Sequence, residues 1–188
     1  MDNYTTLIYS ETTGSAVPAN LGARIVDSNL VPVLSPLTGI TSSSVLTGLT
    51  GGTYAQDQVL GTGNLVLPVS RWQGGSVAIT HVKVTINPQG TTPGMLGVYF
   101  FKSAHPAITD KGLKTTGFAT SISNLILGRV LLDISDRVGP DTVWSSPCNL
   151  EFSTLSSSVN VNALIYAETS NVLQAVSTGS IEVFSRHV

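Results

Sequence analysis

Charge is what this chain has least of. Asp, Glu, Lys and Arg make up 11% of its 188 residues, against about 25% in an ordinary soluble domain. The nine basic residues are scattered singly from Arg24 to Arg186 and the formal net charge is −2. No basic patch exists to grip a phosphate backbone, so nucleic acid is not an expected partner. Cysteine is nearly absent as well. Cys148 stands alone, which excludes an internal disulfide and a cysteine-ligated zinc site. Between Pro147 and Asn149 it reads as a small apolar side chain. Long apolar runs are missing too: the best stretch, Leu125–Ile134, is broken by Arg129 and falls far short of the ~20 residues of a membrane helix. The opening MDNYTT is acidic and has no apolar leader segment, so synthesis and folding in a reducing cytoplasm are expected. A chain with mean hydropathy +0.27, few charges and no membrane span would be poorly soluble with its surface bare. The composition therefore favours a protein partly covered by other protein.

Catalytic signatures are the last absence. Gly61-Thr62-Gly63 opens like a dinucleotide fingerprint, but position 66 is Val and the following LVLPVS reads as a strand rather than a helix, so no helix N-terminus converges on a phosphate. No Walker lysine motif, HExxH or GxSxG is present. Of the three histidines, His81, His105 and His187, only His105 with Asp110 suggests a Ser/His/Asp relay. Nothing marks an activated serine, and structural histidines are expected. Asp133 and Asp136 lie three apart on a strand, so they do not face one cleft. No catalytic residue, cofactor or metal ligand is assigned, and the chain is read as a non-enzyme.

What is present is β-pattern. Strands are expected at Leu65–Ser70, Val77–Ile86, Leu96–Lys102, Ile126–Ser135, Asn149–Thr154, Val159–Ala167 and Ser180–Arg186. Ile126, Gly128, Val130, Leu132 and Ile134 alternate against Arg129 and Asp133. The apolar phase of Val77 and Ile79 switches to Val82, Val84 and Ile86, which predicts a β-bulge at Thr80–His81. LGVYFF is apolar on both faces, as in a strand covered twice. Short strands separated by Gly, Pro and Asn turns imply an all-β, antiparallel sandwich, jelly-roll-like or Ig-like. Ser103–Asn124 is too long for a hairpin loop, with one helical turn expected around Asp110–Leu113.

The chain is divided near residue 54, into an extended N-terminal arm (1–54) and a sandwich body (55–188). Ser28 to Gln56 contains no charged residue, yet Leu30, Val33, Leu34, Leu37, Ile40, Val45, Leu46 and Leu49 are spaced along it. That content is too aliphatic for a flexible linker. An arm lying on another chain is favoured over an internal strand pair, with those eight residues as its docking contacts. Short strands are expected within TTLIYS and ARIVDS. In the body, Arg71, Trp72 and Trp144 are the candidate contact residues, since an aromatic ring can stack on a sugar, line an interface or cap the core.

From Tyr54 onward the order of motifs resembles the capsid decoration, or cement, proteins of tailed bacteriophages. The similarity lies in YAQDQVL, LPVSRWQGGSVAITHVKV, LGVYFFKSAHPAITDKG, LGRVLLDISD, VNALIYAETS and the closing SIEVFSR. It covers roughly the last 130 residues and leaves the N-terminal extension outside the pattern. The resemblance implies a non-catalytic β-sandwich on the outer surface of a phage head. Its partners would be the major capsid protein and further copies of itself, a trimer by shell symmetry. A tail- or fibre-associated protein that binds a host glycan through its tryptophans is the alternative.

Overall fold

A computed structural model describes residues 8–9, 16–17, 23–25, 32–34, 39–61, 64–87, 92–106, 108–117, 125–133, 135–174 and 178–188. The chain forms two compact units, Met1–Thr38 and Gly39–Val188. In the first, β1 (Ile8–Tyr9) pairs with β2 (Ala16–Val17) and β3 (Ala23–Ile25) with β4 (Pro32–Leu34), both antiparallel.

The second unit is built from β5 (Ile40–Leu46), β6 (Gly52–Tyr54), β7 (Leu65–Pro68), β8 (Ser76–Asn87), β9 (Leu96–Phe101), β10 (Ile126–Leu132), β11 (Ser135–Val138), β12 (Asp141–Ser153), β13 (Asn160–Ala167), β14 (Asn171–Leu173) and β15 (Thr178–His187). One sheet has the order β11-β12-β8-β15-β5 and the other β10-β9-β13-β7, while β6 and β14 pair separately. Setting aside β11, the eight strands of the two sheets are nested: β5 pairs with β15, β7 with β13, β8 with β12 and β9 with β10, all antiparallel. First with last, second with second-last is the order of one long hairpin rolled on itself, the jelly roll. An Ig-type sandwich distributes its strands differently, so of the two expected sandwiches the jelly roll is the one formed.

The alternation of each strand puts one face between the sheets. Trp144, Tyr54, Phe100, Leu67, Ile79, Ile86, Leu96, Leu132 and Ile165 are fully buried members of that core. A second apolar cluster of Val59, Phe101, Ile108 and Leu164 involves the other faces of β9 and β13 together with loop residues. Hence LGVYFF is apolar on both sides. The expected bulge is present: along β15 the pairing steps from Phe184↔His81 to Ser185↔Ile79, leaving Thr80 as the extra residue. Among the described residues of the long loop, a 3-10 turn lies at Lys114–Gly117, one turn later than expected. Residues 107 and 118–124 of that loop lie outside the described residues.

The N-terminal division is corrected. The unit boundary falls between Thr38 and Gly39, and β5 and β6 are strands of the body, paired with β15 and β14. In ITSSSVL, Ser42 and Leu46 are buried while Thr41, Ser43 and Val45 are exposed. Absence of charge, read as the mark of an arm, here accompanies a sheet-edge strand whose alternation is carried by Ser and Thr. The sequence-based strand Asn149–Thr154 is also only the end of β12, which begins at Asp141 after the Gly139-Pro140 turn.

Candidate functional site

The surface feature most clearly built for contact is one end of the five-stranded sheet, where the chain leaves β7. Ser70 Oγ donates to the Trp72 carbonyl at 2.6 Å, and the Trp72 N–H returns to Ser70 Oγ at 3.3 Å. Gly74, at φ +69, donates its N–H to the Leu155 carbonyl at 2.8 Å. A side chain at Gly75 would lie 2.4 Å from Ser70 Oγ and 3.0 Å from the indole nitrogen of Trp72. The Gly74-Gly75 pair therefore exists because the turn needs positive φ once and close approach once. The folded turn presents Trp72, which is 47% exposed. Its indole stacks on His187, centroids 4.0 Å apart and planes within 11°, and the backbone N–H of Arg71 donates to His187 Nε2 at 3.3 Å. Arg71 is exposed beside it. The arrangement is a partly open aromatic face next to an exposed arginine in sequence, suited to stacking against a ring or a partner side chain.

Two residues along β15 from His187, Ser185 pairs with Ile40, the first residue of β5. The β5 edge, which no described strand pairs, thus starts at the same end. Along it Val45 is 66% exposed, Ile40 is half-buried, Leu46 is 4% exposed and belongs to the core, and Leu49 packs against the core. Of the expected docking residues, Val33 and Leu34 lie in β4, whereas Leu30 and Leu37 fall outside the described residues. Trp144 is not a surface contact. It is fully buried, and its indole N–H donates to the Gly94 carbonyl at 2.7 Å.

The imagined His105–Asp110 relay does not form. His105 is buried against Phe101, its Nδ1 2.7 Å from the Pro106 carbonyl, and burial pushes its imidazole below the ordinary histidine range. Asp110 is engaged elsewhere: it accepts from the N–H of Gly61 at 2.7 Å, from the N–H and hydroxyl of Thr50 at 3.1 and 2.6 Å, and from the Tyr54 hydroxyl at 2.9 Å. Burial, with the Asp110 charge and hydrogen bond, raises the Tyr54 phenol to about 12. Asp110 is a fastener between the long loop and residues 50–61. A second fastener is Lys114, which sits 2.6 Å from Asp57 and 3.9 Å from the centroid of the buried Tyr166 ring. Neither was foreseeable, because the partners stand dozens of positions apart in a chain that offers no motif around them. Cys148 is half-buried against the core, its thiol held above its usual range by desolvation. Among the described residues, no group of three or more His, Cys, Asp or Glu side chains could hold a metal ion.

No protein-family model matches the sequence, and no curated protein does. Among solved structures, the fold is similar to that of tomato aspermy virus, at 14% identity over 80% of this chain and 78% of that one, with a TM-score of 0.34. The capsid of Helicobacter pylori bacteriophage KHP30 aligns at 14% identity over 81% and 90%, TM-score 0.32. The capsid asymmetric unit of cyanophage Pam1 aligns at 9% identity over 87% and 97%, TM-score 0.35. Likenesses this loose carry no weight for function, and the jelly roll stands on the chain's own strand order.

Proposed function

We propose that this chain is a non-catalytic structural protein of a virion, a decoration protein that binds the outer surface of a phage head and stabilises its mature lattice. A jelly roll serves shells, lectins and enzymes alike, so the fold does not decide. The observation that carries the reading is a sparsely charged body whose five-stranded sheet ends in a seven-residue edge without a charge or a proline, a surface suited to assembly. The order of motifs after Tyr54 supports the same reading. Its partners are the major capsid protein and other copies of itself, grouped about a shell axis, with a trimer at a three-fold. No chemistry is needed. A protein that binds only the mature lattice stabilises it by about 2.7 kcal/mol per site at one hundred times its dissociation constant, and bridging several capsid subunits multiplies the effect. Copy number in purified particles tests this. A simple fraction of the capsid subunits is expected, and absence from the particle refutes it.

One observation favours a second reading. The Trp72–His187 stack with Arg71 beside it suits a glycan ring, as a tail- or fibre-associated receptor-binding protein would use. A handful of copies per particle, together with saturable sugar binding lost in Trp72→Ala, would establish that role instead.

A further inference from the structure

Four strands end the two sheets, and three of them are protected against pairing with another chain. β11 is four residues long and carries Asp136 and Arg137. β7 is four residues long and closes on Pro68. β10 carries Arg129 and a register shift between Ile126 and Gly128. β5 has none of these devices: seven residues, no charge, no Pro, no Gly, and an unbroken register against β15. Among the described residues no strand pairs with its other side. Proteins that stay monomeric rarely leave such an edge bare.

The sequence of β5 is nearly self-complementary when run antiparallel about Ser43. Ile40 falls opposite Leu46, Thr41 opposite Val45, Ser42 opposite Ser44 and Ser43 opposite itself. Inward residues then meet inward and outward meet outward, as sheet continuity demands. Ser42 supplies an independent indication. Its hydroxyl oxygen is buried and has no hydrogen-bond partner within the chain, an arrangement that buried hydroxyls rarely tolerate. In this register the hydroxyl of Ser44 from a second copy lies directly across from it on the same face, a cross-strand pair that hydrogen-bonds. Charge does not oppose the approach. The acidic residue beside Ser43 is Glu182 of β15, which is paired with Lys83 at 3.3 Å. The two Glu182 residues of a pair would stand three strand spacings apart, about 14 Å, beyond a Debye length at physiological salt.

We propose that the occupant of the β5 edge is β5 of a second copy of this chain, joined antiparallel about a two-fold axis at Ser43 into one continuous sheet. The contact is closed and isologous, distinct from any three-fold grouping on a shell. It does not depend on the virion reading, because solution mass tests one and particle copy number the other.

The experiment uses the full chain with Cys148→Ser to remove the native thiol. Sedimentation equilibrium is expected to give about twice the 19.6 kDa chain mass. Under mild oxidation Ser43→Cys forms a covalent dimer, since directly opposed residues stand about 4.5–5.5 Å apart, within disulfide reach. Thr41→Cys and Val45→Cys singly do not, because each faces the other position rather than itself. Ser43→Lys, which opposes two like charges at the axis, weakens the dimer by about tenfold or more. Val45→Lys, at an exposed position, serves if that variant fails to fold. A chain that stays monomeric up to about 0.1 mM overturns the proposal. So does a dimer that survives Ser43→Lys without cross-linking at position 43, or one that cross-links through Val45→Cys alone.

Discussion

Asp110→Ala removes one carboxylate and, with it, the acceptor for four donors that come from 49 to 60 positions away in the chain. The donors differ in what happens next. The N–H and hydroxyl of Thr50 are near solvent and water replaces their partner, so they lose little. The N–H of the buried Gly61 is left with no acceptor, and the hydroxyl of the buried Tyr54 keeps only the Thr50 hydroxyl in reach. A buried donor stranded in this way costs about 1–3 kcal/mol. The expected total is about 3 kcal/mol, and for a domain of this size each kilocalorie lowers Tm by about 2–4 °C, giving a loss of roughly 6–12 °C. Asp110→Asn keeps one acceptor oxygen but turns an amide NH2 toward the donors, and is expected to lose about half as much. Thermal unfolding by circular dichroism reads both variants, with the exposed Asp133→Ala as the control expected within about 0.5 kcal/mol. An Asp110→Ala protein as stable as that control would show that the long loop is held by its apolar contacts and that the carboxylate is incidental.

The same cluster titrates in the alkaline range. Tyr54 is held at about 12, above the ordinary 10, by burial first and by the charge and hydrogen bond of Asp110 next. A group whose folded pKa is raised binds its proton more tightly in the native state. Tyr54 therefore contributes stability that is complete below pH 10 and is lost as pH climbs from 10 through about 12. Removing Asp110 should lower that upper limit without bringing it to 10, because burial remains. Phenolate absorbance followed through an alkaline titration separates the two contributions.

Three further outcomes are expected. Gly97→Ala places a methyl carbon 2.2 Å from Cζ of the fully buried Tyr166, and the ring, stacked on Tyr99 at 5.3 Å, has little room to yield; chemical denaturation should show a loss of about 2–3 kcal/mol. His105 has its pKa lowered by burial, opposed by its hydrogen bond to Pro106, so it contributes stability above the ordinary 6.5 that is lost as pH falls below it; His105→Gln should flatten the acid branch of a Tm-against-pH profile. Acrylamide should quench Trp72 and spare Trp144, so Trp72→Ala leaves a quench-resistant emission at a cost of about 1 kcal/mol from the lost His187 stack.

Strand existence was legible in the sequence where apolar alternation was strong. The phase switch between Ile79 and Val82 located a bulge near Thr80–His81, because one extra residue must flip every side chain after it. What could not be read was pairing. Nested strands put β5 beside β15, some 140 positions later, and no local signal encodes so distant a partner. The same distance hid Asp110 and Lys114, whose partners are brought together only once the roll has closed. Trp72 and Trp144 show the limit from another side: both follow turn-like or strand-end sequence, yet one lies open and the other is sealed in the core. Trp144 faces inward because it stands opposite Val84 in the β12–β8 ladder, a register that composition does not reveal.

The error over residues 39–54 has a physical cause that bears on function. Surface strands usually announce themselves by Lys or Glu on the outer face, and ITSSSVL has Thr41, Ser43 and Val45 there instead. Without charge it resembled a segment seeking cover from another chain; in the fold it is a segment paired on one side with β15 and, among the described residues, with no strand on the other. Both descriptions arise from one fact. Serine and threonine satisfy a strand without repelling a neighbour, whereas lysine satisfies it and repels. A solitary protein gains from the second choice, and three of the four sheet edges here make that choice or use proline, a bulge or short length. The fourth edge departs from it over its whole length, and the buried, unpartnered hydroxyl of Ser42 lies within that same stretch. An edge kept free of charge over seven residues, beside an unmet hydrogen bond, is best explained by a partner strand.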